Sequence, residues 1–262
     1  MSICEATAES PSTKIEDKIN VNLSWTRPDN IPYPNVWKRL KLTSKTGRSY
    51  DVKIEDVTPD RYEEYLDFMF TNYDCEEPIS KLIEISSDPE SVAARRAVRR
   101  KILEQKISLM ATLEDDQNKD KRPRIMGALI LLVNSKHDPP IKYAGKKWTN
   151  WMNFVKYLRD DVDAFQLLNS DLCFDDFGLA VAPEYYGFDL GFHLFSCLLQ
   201  MCKAFNIRGS LNEFTSFYSQ TIPVRLGFIL CKEVSYKEYK DENGKDVPME
   251  GTLQCMMLKI AE

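Results

Sequence analysis

The chain has 262 residues, 43% hydrophobic and 29% charged, with a formal net charge of −5. That is enough apolar material for one large folded domain, and the acidic balance gives no bulk attraction to nucleic acid or an anionic membrane. No apolar run approaches a membrane span, Met1 to Asn20 lacks a signal-peptide core, and a cytoplasmic protein is the expectation.

Residues 1–20 read as a polar, disordered tail, and 21–262 as a single domain. Val21 to Leu42, with Trp25, Pro28, Pro32, Pro34 and Trp37, reads as an extended arm packed on that domain. Ser49 to Val57 is predicted as the first strand, and Pro59-Asp60 opens a helix with Tyr62, Tyr65, Leu66, Met69 and Phe70 on one face. The run Tyr73-Asp74-Cys75-Glu76-Glu77-Pro78-Ile79 follows. Read alone it is either a solvated acidic turn or a paired-carboxylate site, since adjacent carboxylates can raise one pKa towards neutrality.

Asp88 to Gln105 is predicted to be a helix with Arg95, Arg96, Arg99, Arg100 and Lys101 on a basic face. Lys106 to Leu113 and Ile125 to Asn134 form a predicted hairpin joined by a polar, mobile loop, and Trp148 to Leu168 reads as one helix. The alternation of Asp175 to Ala182 marks a strand stopped by Pro183. A turn, Glu184-Tyr185-Tyr186-Gly187-Phe188-Asp189-Leu190-Gly191, leads into a helix from Phe192 to Phe205. Strand, glycine-bearing turn and helix together aim N–H groups and a positive dipole end at an anion. A second unit repeats the arrangement: a strand from Ile207 to Phe214 and a short helix from Thr215 to Arg225. Pro223 is expected to kink or shorten that helix. Phe228 to Tyr239 and Gly251 to Ile260 are the last predicted strands.

Seven cysteines without a C-x-x-C pair, and only two histidines, give no zinc-ligand spacing, so no metal is expected. The cysteines read as reduced core thiols; His193 and Cys197, one helical turn apart, are a formally possible Cys–His pair and read as core.

The strand Leu179-x-Val181-x-Pro183-Glu184-Tyr185, the glycine turn and the later Arg225-Leu-Gly-Phe resemble the acetyl-CoA site of the GNAT acyltransferase superfamily. Phe70 to Ile79 and Thr215-Ser216-Phe217-Tyr218-Ser219 resemble its insect-type arylalkylamine N-acetyltransferases. The resemblance implies a mixed α/β (α+β) GNAT fold, a central, mostly antiparallel sheet splayed at two parallel strands with helices on both faces. It implies acetyl transfer from acetyl-CoA, as co-substrate, to a small-molecule amine of the arylalkylamine class. Glu77 would act as general base, and Ser216 and Ser219 would assist proton movement, although capping the helix is their ordinary role. Cofactor contacts fall on the backbone of Leu179, Ala180 and Val181 and on the turn Tyr186, Gly187, Phe188, Asp189, Leu190, Gly191 and Phe192. Tyr218 is a candidate to protonate the departing thiolate, and Tyr236 or Tyr239 to reach the amine pocket.

The turn departs from the family's Q/R-x-x-G-x-G/A, with Tyr186, Asp189 and Gly191 at the specified positions, so that only the last is kept. A carboxylate at Asp189 lying ~6 Å from a pyrophosphate charge would repel it by about 3 kcal/mol at an effective dielectric of ~20. A catalytically silent GNAT-fold binding protein with a protein partner is therefore the alternative, favoured by Tyr186, Asp189 and Pro223.

Overall fold

The computed structural model describes residues 15–44, 46–114 and 122–260. Its eight strands are β1 (Val36–Thr43), β2 (Ser49–Asp56), β3 (Leu109–Leu113), β4 (Ile125–Ser135), β5 (Leu172–Val181), β6 (Gly209–Phe214), β7 (Ile229–Ser235) and β8 (Thr252–Lys259). They form one sheet in the order β1-β2-β3-β4-β5-β6-β8-β7. Ile125 to Val133 is buried throughout, as expected for a central strand covered on both faces, where both sets of alternating side chains must be apolar.

The helices are α1 (Tyr62–Met69), α2 (Pro78–Leu82), α3 (Pro89–Leu103), α4 (Lys146–Arg159), α5 (Ala164–Leu168), α6 (Leu190–Ala204) and α7 (Phe217–Arg225). On one face of the sheet a core built on Tyr65, Met69, Val98, Ile102, Trp148 and Leu158 comes mainly from α1, α3 and α4. On the other, Leu194, Leu198, Met201 and Phe205 of the α6 stretch pack with Trp37, Ile54, Leu131 and Phe174.

Every pairing is antiparallel except β5 with β6, and that parallel ladder consists of the single pair Phe174↔Ser210. Beyond it the two strands diverge. Between the pairs Leu129↔Leu179 and Leu131↔Asp176, β5 sets two residues, Phe177 and Gly178, against one residue of β4, Ile130, which makes a bulge. Gly178 has φ +124°, and an added Cβ would lie 3.1 Å from Met69 and 3.3 Å from the Tyr73 ring, so the bulge needs a glycine on both counts.

Several sequence expectations need correction. The arm is not wholly irregular: β1 takes its last part and pairs with β2, so Ser49–Asp56 is the second strand. The arm's earlier part is held by Arg27, 2.8 Å from the buried Asp56, and by Trp25 and Trp37 against Phe205. The helix expected over Trp148 to Leu168 is two helices, because the Asp163 carboxylate accepts from the N–H groups of Phe165 and Gln166 and starts a new one. Of the expected tail, residues 1–14 lie outside the described residues, as do 115–121 of the hairpin loop; Ile15 is buried and Asn20 bridges to Lys142. Pro223 lies inside α7 without ending it; the helix runs two residues further.

Candidate active site

The residues singled out in the sequence gather at the divergence of β5 and β6, in two halves. On the α1–α4 side, α1 continues into a π-helical turn, Phe70–Asp74, and the chain reverses to place Glu77 at the N-cap of α2. Pro78 sits at N1, where its missing N–H costs nothing. The Glu77 carboxylate accepts from Ser80 N (2.6 Å) through one oxygen and from the Thr215 hydroxyl (2.9 Å) through the other. That second bond joins segments 138 residues apart, the acidic turn and the β6–α7 junction. Glu76 is turned away and pairs with Lys81 at 2.6 Å, so it is not a second carboxylate for the site.

Two phenols flank this contact. The Tyr236 hydroxyl donates to Thr215 O (2.6 Å), and its pKa is raised by burial and then by the charge of Glu77. Burial and Glu77 also raise the pKa of Tyr73, so both rings stay neutral donors at ordinary pH. Ser216 and Ser219 meet each other rather than Glu77. Ser219 N donates to Ser216 Oγ (3.2 Å) and Ser216 N to Ser219 Oγ (3.0 Å), a reciprocal capping box at the start of α7. Tyr218 is 82% exposed, with Phe217 as its ring neighbour, and is not held against the serine pair.

Sequence reasoning missed Thr215 as the group that reaches Glu77, and it missed Asp176. The Asp176 carboxylate accepts from Asn212 Nδ2 across the divergence (2.9 Å) and from Gly178 N in the bulge (3.2 Å). Part of its surface reaches solvent, yet it lies deep in the protein volume. Desolvation, then the neighbouring Asp175 charge, push its pKa up to about 7. Arg159 is occupied elsewhere, by Asp175 at 2.9 Å and by Glu213 at 2.8 Å. The signal was available: a pair of carboxylates within a strand otherwise apolar is costly unless it is used.

The second half lies at the end of β5. Ala182 N donates to Met126 O of β4. Antiparallel alternation then turns the Ala180 N–H to β4 as well, and the N–H groups of Leu179 and Val181 into the divergence. Two of the three expected backbone donors are thus available, and Ala180 is not. The following turn carries Gly187 at φ +80° and the buried Phe188, whose ring packs on Tyr50 (5.3 Å) and pins the turn. Tyr186 is 60% exposed.

Asp189, at φ +62°, adopts the left-handed conformation that a glycine would supply, and aspartate is among the few other residues that tolerate it. It is the N-cap of α6 without a side-chain capping bond, which leaves the N–H groups of Leu190, Gly191 and Phe192 at the helix start free of it. Its carboxylate instead makes two bonds to Arg225 (2.7 and 2.5 Å), whose guanidinium lies 3.9 Å from the Phe192 ring centroid. The pair lowers the pKa of Asp189 and keeps it ionised with its charge offset. Gly191 packs against Leu179 and Ile222; a Cβ there would meet ordinary contacts of 3.4 and 3.5 Å.

The arginines of α3 are taken up by carboxylates of α1 and the π-helical turn. Arg96 pairs with Glu63 and Asp67 of α1, and Arg95 and Arg99 with Asp74. His193 and Cys197 do not form a nucleophilic pair, since the thiol donates to the His193 carbonyl and burial pushes its pKa up to about 12. Among the described residues no three His, Cys, Asp or Glu side chains group to hold a metal ion, and no helix is long and apolar enough to cross a membrane. A groove of about 390 Å³ lies between α4 and residues 238–240, lined by Phe154, Tyr157, Glu238 and Tyr239 but not by Glu77.

No family model and no curated protein sequence matches the chain. Solved structures do. An Aedes aegypti (yellow fever mosquito) protein assigned the name arylalkylamine N-acetyltransferase 7 superposes with a TM-score of 0.81 at 23% identity, over 91% of this chain and 100% of that one. The fold is the GNAT acyltransferase fold. Arylalkylamine N-acetyltransferase 2 of Aedes aegypti matches with a TM-score of 0.67 at 18% identity, over 80% of this chain and 99% of that one. A Drosophila melanogaster polyamine N-acetyltransferase that forms N-acetylagmatine matches at 0.65 and 20%, over 80% and 100%. Within the GNAT fold, the sheet is mostly antiparallel and splayed at its two parallel strands, as the sequence implied.

Proposed function

We propose that the protein transfers an acetyl group from acetyl-CoA to a primary amine of the arylalkylamine class. The observation that carries this reading is the hydrogen bond between Thr215 and Glu77, which joins the two segments resembling the acceptor site at the point where the sheet opens. An amine with a pKa near 10 must lose a proton before it can attack, and Glu77 takes that proton. The nitrogen then adds to the thioester carbonyl. The N–H groups of Leu179 and Val181 stabilise the negative charge that develops on its oxygen. The tetrahedral intermediate collapses with loss of the CoA thiolate, giving the amide. Ser216 and Ser219 serve the proton's return to the thiolate as well as the helix start. With Cys197 buried and protonated, transfer is direct rather than through an acyl-cysteine.

The turn from Gly187 to Phe192 holds the pyrophosphate, with the charge of Asp189 offset by Arg225. The neighbourhood of Glu77 favours an aromatic acceptor: Tyr73 and Tyr236 are beside it, and Phe177, Tyr143 and Trp148 form a ring cluster next to the bulge. A polyamine would ask for a second free carboxylate, and Asp176, at a pKa of about 7, is only partly ionised at neutral pH.

The test is release of CoA thiol from acetyl-CoA with a panel of arylalkylamines and polyamines, using Glu77→Gln as control. Turnover with an arylalkylamine that collapses in Glu77→Gln supports the reading. Tight acetyl-CoA binding without turnover on any amine would move the chain to the silent binding-protein reading, with a protein as its partner.

A further inference from the structure

Of the two phenols beside Glu77, one is spent: the Tyr236 hydroxyl donates to Thr215 O (2.6 Å). The hydroxyls of Thr215, Ser216 and Ser219 are spent as well, on Glu77 and on the start of α7. Tyr73, in the π-helical turn, is different. Part of its surface reaches solvent, and its hydroxyl donates to no described residue without being one of the buried, unpartnered polar atoms. The hydroxyl therefore opens into the site. Its place is fixed by its neighbours. The guanidiniums of Arg95 and Arg99, both tied to Asp74, lie 5.4 and 5.1 Å from the ring centroid. The far end of the ring lies against the bulge of β5: a Cβ on Gly178 would stand 3.3 Å from Cε2 and from Cζ, the carbon that carries the hydroxyl. A side chain at 178 would push the phenol away from the strand, and glycine lets it come up to the backbone. The next residue is Leu179, whose N–H enters the divergence. A phenolic donor and a backbone donor thus meet the same opening one residue apart along β5.

We infer that Tyr73 is a further catalytic residue, its hydroxyl donating to the thioester carbonyl oxygen, and more strongly as that oxygen gains charge, beside the N–H groups of Leu179 and Val181. The inference rests on the proposed acetyltransferase reading. As the amine nitrogen adds to the carbonyl carbon, the π pair moves onto the oxygen, and the Tyr73 O–H bonds to it while keeping its proton. The pair returns when the bond from carbon to sulfur breaks and the thiolate leaves. Preorganised donors of this kind act where charge develops, and they need no rearrangement at the moment of reaction. Burial and then the charge of Glu77 raise the Tyr73 pKa, against the pull of Arg95 and Arg99. A phenol so placed donates a hydrogen bond without ionising. For the same reason it is a poor proton source for a thiolate, since a thiol is the stronger acid.

The experiment is Tyr73→Phe in the full chain, which keeps the ring and its contacts with Gly178 and the arginines and removes only the oxygen. With the best arylalkylamine as acceptor, kcat should fall by roughly 10²–10³-fold, the effect of one lost oxyanion donor. Acetyl-CoA affinity and melting temperature should stay at their wild-type values. Infrared difference spectroscopy of bound, isotope-labelled acetyl-CoA gives a second readout that needs no turnover: the carbonyl stretch should lie lower in the wild type than in Tyr73→Phe. An unchanged kcat, a fall in kcat matched by an equal loss of acetyl-CoA affinity or by a lowered melting temperature, or the same carbonyl frequency in both proteins would overturn the role. Failure of the acetyltransferase reading looks different. A wild type that binds acetyl-CoA yet acetylates no amine overturns that reading and the catalytic role with it, whatever the variant does.

Discussion

The two halves of the site depart from sequence expectation in opposite ways. At the acidic turn the expected side chain is present, Glu77, and what the structure adds is its company: Thr215, Ser80 and two neutral phenols. At the helix start the glycine that the resemblance implies is an aspartate, and its backbone takes a positive φ. Asp189 adopts a left-handed conformation open to glycine, and Arg225 offsets the charge of its carboxylate. An acid–base role depends on a particular functional group, whereas an anion cradle depends on N–H directions and net charge, which different residues can supply together.

The largest expected effect breaks the first half. Glu77→Gln keeps an oxygen to accept from Ser80 N but cannot take a proton, and kcat/KM for the amine should fall by roughly 10²–10⁴-fold with little change in acetyl-CoA affinity. Steady-state kinetics alongside calorimetric binding check both parts. The second half breaks at Arg225. Arg225→Gln leaves the Asp189 carboxylate uncompensated, and acetyl-CoA Kd should rise by on the order of 10²-fold at low salt, corresponding to about 3 kcal/mol. The penalty should shrink as salt rises, because both groups are half-exposed, with side chains 46% and 47% accessible.

Asp176 sharpens the boundary between the halves. Its folded pKa, about 7, lies above the unfolded carboxylate value. The folded state therefore holds the proton more tightly, so this group's contribution to stability is fully present below about pH 4 and is lost as pH rises towards and through 7. Asp176→Asn removes that slope, and its melting temperature should exceed that of the wild type by a few degrees at pH 8 while the difference closes near pH 4. The smallest expected effect is Ser216→Ala, a lost cap of about 1 kcal/mol and ~2–4 °C in melting temperature. Ser216→Asn should restore the cap, and a loss of turnover that persists in it would separate chemistry from capping.

The legible parts of the fold were those with a local signal. The wholly apolar β4, the alternation of β5 and the periodic face of α6 are written in their own residues. β1 was hidden because Pro32 and Pro34 precede it closely, and the break between α4 and α5 because Asp163 acts through a cap rather than a helix-breaking residue. The π-helical turn, which sets where Glu77 lands, follows no periodicity that a helix scan detects. In the site, Glu77, Ser216 and Ser219 were reached through resemblance, and only the structure distinguishes the hydroxyl that touches Glu77 from the two that close a capping box. The direction of Asp189 was not legible, because its partner lies 36 residues away on another helix. The inward turn of the α3 arginines was hidden for the same reason, since the carboxylates that receive them belong to α1 and the π-helical turn.

Under the proposed function, the turn from Gly187 to Phe192 is a working cradle for acetyl-CoA even with a carboxylate at Asp189. Calorimetric titration of acetyl-CoA into the wild type and into Asp189→Gly, at low and moderate salt, tests it most directly. Wild-type binding is expected with a Kd on the order of micromolar, within about tenfold of Asp189→Gly at either salt. Absent wild-type binding that appears in Asp189→Gly would contradict it, and would mean that the carboxylate closes the site.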